Sequence, residues 1–271
     1  LEFNKQILDH GYIKFVEHWG SDERIIEAAR MSTGKGFLGW GGTEPCTECV
    51  KSGNLSLDLL YKSYDVLMAA RACTMCKGTG TIPGDERLLA YLYTHWHHTP
   101  FEMAGMVIEI QAPIMVFREW HRHRTQSYNE LSARYTPLPD VNYLPSVERC
   151  LMVNAANKQA NAVAGAAELT HESVLEWLEY VQCAYQMAQG AYEDGLRRGI
   201  PKELARLPVP VGRYSRMRAS ANLRNWLAFL TLRSTAKGPN AQWEIRQYAD
   251  AVADIVRIMW PRTYELFSIG H

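Results

Sequence analysis

The chain has 271 residues, 47% of them hydrophobic and 21% charged, the composition of a soluble protein able to bury a full core in one elaborated domain or two small ones. Lys plus Arg and Asp plus Glu both number 29, so the net charge is zero; long-range steering toward nucleic acid or an anionic membrane has no support, and any anion site must be local. The longest apolar candidate, Met103 to Phe117, is broken by Glu109 and Gln111, and the first residues (Glu2, Lys5, Asp9, His10) do not resemble a signal peptide, so we expect a cytoplasmic protein without a membrane span.

In chain order, an acidic first turn followed by Ile25, Ile26 and Ala29 on one face predicts a helix over Asp22 to Met31. Gly34, Gly36 and Gly39 spell G-x-G-x-x-G, but a dinucleotide fingerprint must follow a strand and open a helix. Here it follows a predicted helix and precedes Gly41, Gly42 and Pro45, so it reads as a flexible loop. Leu57, Leu60, Tyr61, Tyr64 and Leu67 predict a short amphipathic helix, and residues 38–84 read as an insertion into a single domain spanning 1–271. Asp85 is placed as the N-cap of a helix carrying Leu88, Leu89, Leu92 and Tyr93. Met106, Ile108, Ile110 and Ala112 alternate with Val107, Glu109 and Gln111, the period of a strand with one buried face, and Pro113 then starts a helix through Trp120. The run from Arg122 to Tyr135, with Pro137 and Pro139 behind it, is at least partly an irregular functional loop. Leu169, Val174, Leu175, Leu178, Val181, Tyr185, Ala188 and Tyr192 line one side of a long helix that stops near Gly199 and Pro201. Shorter helices are expected over Pro201 to Leu207, Leu223 to Leu232 and Gln242 to Met259. Many helices with an antiparallel-type strand pattern argue for an α+β fold, an antiparallel sheet packed with several long helices.

Cys46, Cys49, Cys73 and Cys76 form two C-x-x-C pairs separated by 23 residues, a pattern that fits one structural, tetrahedral zinc better than a disulfide framework. An insertion this small buries too little surface to hold itself together, and zinc supplies about 10 kcal/mol or more in small domains. Cys150 and Cys183 stand alone.

Residues 122 to 135 read RHRTQSYNELSARY. Fixed guanidinium forks beside Ser127, Asn129, Glu130 and Ser132 supply donors for phosphate and an acceptor, although charge runs of this kind are usually solvated loops. The string R-H-R-x-x-S-x-N-E-x-S-x-R-Y resembles the signature of the flavin-dependent thymidylate synthases, matched at Arg122 to Arg124, Ser127, Asn129, Glu130, Ser132, Arg134 and Tyr135. HWHHTPFE (95–102) resembles the family's H-x-T-P-F-E segment, and ELARLPVP, NLRNWLAFLTLR and AQWEIRQYA resemble its C-terminal elements in order and spacing. His95, His97 and His98 therefore read as part of an active-site wall and not as a metal site, there being no H-E-x-x-H pattern.

The resemblance implies reductive methylation of dUMP at C5, with methylenetetrahydrofolate as one-carbon donor, FAD as hydride carrier and NADPH as reductant, in a homotetramer that holds flavin and nucleotide between subunits. It implies that Thr99, Arg122, His123, Arg124, Glu130, Asn222 and Arg224 contact FAD. It places Glu119, Arg122, Leu131, Ser132, Ala133, Arg134, Arg206 and Arg233 around the nucleotide, with Arg233 as the catalytic cation beside the ring. Arg224 and Arg233 are nine positions apart, about half a turn in angle on a helix, so one helix can serve two ligands. Two residues depart from the family pattern: Glu119 stands where Gln is common, and Ala228 where an Asn helps hold FAD. A carboxylate at 119 admits the alternative of a related methyl or hydroxymethyl transfer to another pyrimidine nucleotide such as dCMP. The rival class is a zinc-dependent nucleic-acid-binding module, opposed by the zero net charge and the non-basic spacer between the Cys pairs.

Overall fold

The computed structural model describes residues 2–41, 84–153, 157 and 160–269. The predicted helix from Leu57 to Leu67 and the four cysteines Cys46, Cys49, Cys73 and Cys76 lie outside the described residues. The chain divides into two compact units, one of Leu1–His18 with Gly105–Ile258 and one of Trp19–Ala104 with Met259–His271. No described helix is long and apolar enough to cross a membrane.

The first unit is built on a five-stranded sheet in the order β1-β2-β3-β5-β4, with β1 at Asn4–Ile7, β2 at Gly11–Trp19, β3 at Gly105–Pro113, β4 at Ser127–Glu130 and β5 at Tyr214–Asn222. The pairs β1/β2, β3/β5 and β4/β5 are antiparallel. In β3 the expected alternation holds: Met106, Ile108, Ile110 and Ala112 are fully buried while Val107, Glu109 and Gln111 are half-buried. β5 shows the same period, with Met217, Ala219 and Ala221 inward and Arg216 and Arg218 outward, although its arginines hid it in the sequence. The buried face packs against two C-terminal helices, Leu223–Arg233 and Trp243–Met259, whose indole Trp226 Nε1 donates to Met106 O and whose phenol Tyr248 Oη donates to Gln111 O. Each fully buried Ile, Val or Phe on these helices contributes about 1.5–3 kcal/mol. Gly11 is required where β2 meets the second of them, since a Cβ there would run into Tyr248 Oη.

Numbering helices in chain order, α1 is Asp22–Arg30, α2 Asp85–Thr94, α3 Ile114–Trp120, α4 Val147–Leu151, α5 His171–Arg197, α6 Lys202–Ala205, α7 Leu223–Arg233, α8 Trp243–Met259 and α9 Pro261–Ile269. The 27-residue α5 starts from a capping box at Thr170 and Ser173, yet of its predicted apolar stripe only Val174, Leu178 and Tyr192 are buried. Leu175, Trp177, Tyr180 and Met187 are exposed, so one chain leaves much of this helix face uncovered.

In the second unit α1, α2 and α9 pack together. The buried carboxylate of Asp22 accepts hydrogen bonds from Arg262 N, Thr263 N and Thr263 Oγ1, so a residue of one helix caps the start of another. Asp85 was expected as an N-cap; the cap is Gly84, and Asp85 is instead the first helical residue, fully buried, paired with Arg30 and accepting from Leu38 N and Gly39 N. The glycine-rich segment after α1 is irregular, as expected, and Gly34 takes a left-handed φ of 65°. It is held in place, with Trp40 Nε1 donating to Glu23 and Arg262 lying 4.3 Å over the Trp40 ring.

Candidate active site

The signature run begins just past the end of α3 and ends past β4, so a tight turn and an edge strand share it. Trp120, fully buried, donates through Nε1 to Gln126 Oε1 at 3.0 Å, and Tyr128 Oη lies 2.7 Å from His123 O, which closes the turn Arg122 to Gln126 around an aromatic plug. β4 then pairs along β5, from Ser127 opposite Ser220 to Glu130 opposite Met217, and Leu131 N donates to Arg216 O.

α7 brings its two ends to this turn. Asn222 is its N-cap, Oδ1 accepting from Asn225 N at 2.9 Å, while Asn225 Nδ2 donates to Thr125 O at 3.0 Å and ties the helix start to the arginine turn. Arg122 and Arg124 are exposed and pair with no carboxylate among the described residues. A helix N-terminus capped by an Asn and two such guanidinium groups form a donor set suited to a diphosphate, so the residues present fit the anionic part of FAD. Ala228, where an Asn was expected in the family, is exposed on the same helix and offers no donor. Thr99 opens a short 3-10 helix, Thr99–Met103, of the second unit, where the rings of Tyr91 and His95 are stacked.

Arg233 is the last residue of α7. Its Nη1 donates to Glu119 Oε2 at 2.7 Å and its Nε to His123 Nε2 at 3.1 Å. His123 can accept there only as the neutral imidazole, and burial together with the charge of Arg233 pushes its pKa down to about 4. Two acceptors thus fix the guanidinium plane and leave three N–H groups for a ligand. Arg233 and Glu119 line a cavity of about 780 Å³ with Arg149, Gln242, Trp243 and Arg246.

The remaining nucleotide candidates gather elsewhere. Leu131, Ala133 and Arg206 line a cavity of about 370 Å³, joined by Glu130 and by two residues the sequence reading did not select, Arg118 and Ser215. Ser215 is buried and its Oγ has no hydrogen-bond partner. Ser132 Oγ accepts from Arg134 N, and the Arg134 side chain reaches toward Glu203 at 3.6 Å. The two cavities share no lining residue. Within one chain, therefore, the expected nucleotide residues do not converge on a single pocket.

Comparison with known proteins adds the decisive observation. The sequence profile of thymidylate synthase complementing protein matches residues 14–262. The chain belongs to the flavin-dependent thymidylate synthase family. It is 33% identical to the flavin-dependent thymidylate synthase of Rickettsia bellii over 272 aligned residues, covering 97% of this chain and 77% of the relative, and 34% identical to that of Thermus thermophilus with the same coverage. A solved structure of PolB, a UMP/dUMP methylase from Streptomyces cacaoi bound with 5-Br UMP, matches with a TM-score of 0.69 and 25% identity over 97% of this chain and 96% of that one. In this flavin-dependent thymidylate synthase family member, Arg118, Arg213 and Ser215 lie outside every motif quoted above, whereas Arg246 lies inside the AQWEIRQYA segment without having been singled out there as a site residue. Its signal is its place in that segment, one turn after Gln242, the residue just before α8 whose carbonyl accepts from Arg246 N.

Proposed function

We propose that the chain methylates dUMP reductively at C5 to give dTMP, with FAD, methylenetetrahydrofolate as one-carbon donor and NADPH as reductant. The observation that carries this is the Arg233 fork, held by Glu119 and a neutral His123 at the wall of a large cavity. C5 of uracil is a poor nucleophile, and a fixed cation beside N3 and its neighbouring carbonyl stabilises the charge that develops on the ring. Bound FAD would supply the hydride; Asn222, Arg224, Arg122 and Arg124 would hold its phosphates. Neither cavity is lined by a cysteine among the described residues, and burial pushes the Cys150 thiol pKa up, which disfavours a thiolate that could add to the ring.

A second reading is favoured by one contact. Glu119 and Arg233 present an acceptor beside a donor, which matches N3–H and a carbonyl of uracil but equally the exocyclic amine and N3 of cytosine. Purified, flavin-loaded protein given dUMP, UMP and dCMP separately should make dTMP from dUMP; failure with dUMP and turnover of dCMP to a methyl or hydroxymethyl product would replace the first reading with the second.

The assembly we infer is a homotetramer with active sites between subunits. Its support is the split of the nucleotide residues between two cavities and an apolar groove of about 820 Å³ along α5, lined by Leu169, Trp177, Val181 and Tyr185. Light scattering should give four chains per particle, whereas a stable monomer would remove this arrangement. For the insertion we propose a structural zinc on Cys46, Cys49, Cys73 and Cys76, whose expected signature is one zinc per chain by metal analysis and retention of flavin in Cys73→Ser. A metal-free protein as purified would refute it.

A further inference from the structure

The cavity that contains Arg233 has three guanidinium groups on its wall, and two are balanced. Arg233 pairs with Glu119 at 2.7 Å, and Arg149 pairs at 2.7 Å with Glu244, which is buried and also receives Tyr143 Oη. Arg246, on the first turn of α8, is not balanced. No carboxylate among the described residues pairs with it, and its Nε is buried without a hydrogen-bond partner. A buried donor on a charged group that finds no acceptor is costly, more so than a neutral one. The uncompensated charge of this cavity is therefore that of Arg246, and it sits where the positive end of α8 adds to the attraction for an anion.

The rest of the lining selects among anions. Met152, Val153 and Trp243 give one part of the wall an apolar and aromatic surface, Asn157, Asn240 and Gln242 make another part polar, and the volume of about 780 Å³ exceeds what a pyrimidine ring needs. A nucleotide phosphate is joined to its base by a polar sugar, and Arg206 lines a different cavity. A folate joins its reacting end to its carboxylates through an aromatic aminobenzoyl group, which suits an apolar wall ending at a cation. We propose that Arg246 binds the glutamyl carboxylates of the one-carbon donor, whose reacting end must reach a pyrimidine held at Arg233. This rests on the methylation reading for the identity of the donor.

The test is a cycle between protein and ligand. Equilibrium binding of tetrahydrofolate, and of tetrahydropteroate, which has the same ring system without the glutamate, is measured on full-length flavin-loaded protein as wild type, Arg246→Gln and Arg246→Lys. Wild type should bind tetrahydrofolate about tenfold or more tightly than tetrahydropteroate, from the typical strength of a charge-assisted hydrogen bond. Arg246→Gln should erase most of that preference while leaving tetrahydropteroate and dUMP binding within about twofold, and Arg246→Lys, which keeps the charge, should recover part of it. Equal weakening of both folates, weakened dUMP binding in their place, or an unchanged preference would each overturn the assignment. Because binding is read without turnover, a protein that shows the cycle but makes no dTMP would refute the proposed reaction and leave the site standing.

Discussion

Arg233→Ala should lose turnover by a hundredfold or more while retaining flavin, because a preorganised charge at the reacting ring is worth on the order of 3 kcal/mol and the flavin donors lie at the other end of α7. The loss should fall on kcat more than on KM for the nucleotide, since the cation acts on charge that grows as the bond forms. Arg233→Lys should recover little: once one ammonium nitrogen donates to Glu119 and His123, a single N–H is left for the ring in place of the three of the planar fork. The alanine variant also reports on His123. Its imidazole is held down by burial first and by the Arg233 charge second, so removing the charge should move its titration upward from about 4 toward the ordinary 6.5, readable as a ring nitrogen shift in NMR. In the intact chain the folded state takes up this proton less readily than the unfolded one. Stability should therefore fall as pH drops from about 6.5 through about 4, where His123 becomes charged and can no longer accept from Arg233. Near-normal turnover in the alanine variant, or a His123 that titrates identically in both proteins, would sink the role given to Arg233.

The largest loss of stability is expected at Arg213. Its side chain is completely buried and donates from Nε to Asn142 Oδ1 at 2.9 Å, from Nη1 to Pro139 O at 2.7 Å and from Nη2 to Gln189 Oε1 at 2.8 Å, with Asp140 at 3.3 Å. One guanidinium thus joins the segment after the signature run to α5 and to the start of β5. Arg213→Met keeps much of the volume but removes three hydrogen bonds from a charged donor, to the half-buried Asn142 and Gln189 and to the exposed Pro139, and bonds to charged groups contribute about 1.5–3 kcal/mol each. We expect a loss of at least about 3 kcal/mol and a fall in Tm of roughly 6 to 12 °C for a unit of this size. Asp140 is half-exposed and recovers its hydration, so Asp140→Asn should cost far less. Thermal unfolding of the two variants side by side decides it; equal small shifts would show that the network contributes little.

Elements whose patterns are periodic and local were readable from the chain alone. β3 announces itself because alternate residues must face one core, and α1, α5, α7 and α8 appear within a few residues of their predicted bounds because apolar positions recur at helical spacing. The family was legible for a different reason: a signature such as RHRTQSYNELSARY is dictated by chemistry at fixed spacing and survives where composition alone would suggest a solvated loop. β1, β2 and α9 were not legible, being short or mixed in polarity and stabilised by their neighbours in the sheet or by the Asp22 cap. β5 hid behind outward arginines. Folding alone sets which charges are spent and which are available. Arg213, Arg149 and Arg246 look alike in the sequence, yet Arg213 is fully buried in a satisfied network, Arg149 is neutralised by Glu244, and Arg246 is left with an unmatched donor at a cavity wall. That difference arises from partners up to 95 residues apart for the Arg149 pair, and burial makes the value of each charge depend on those partners rather than on its neighbours in the chain.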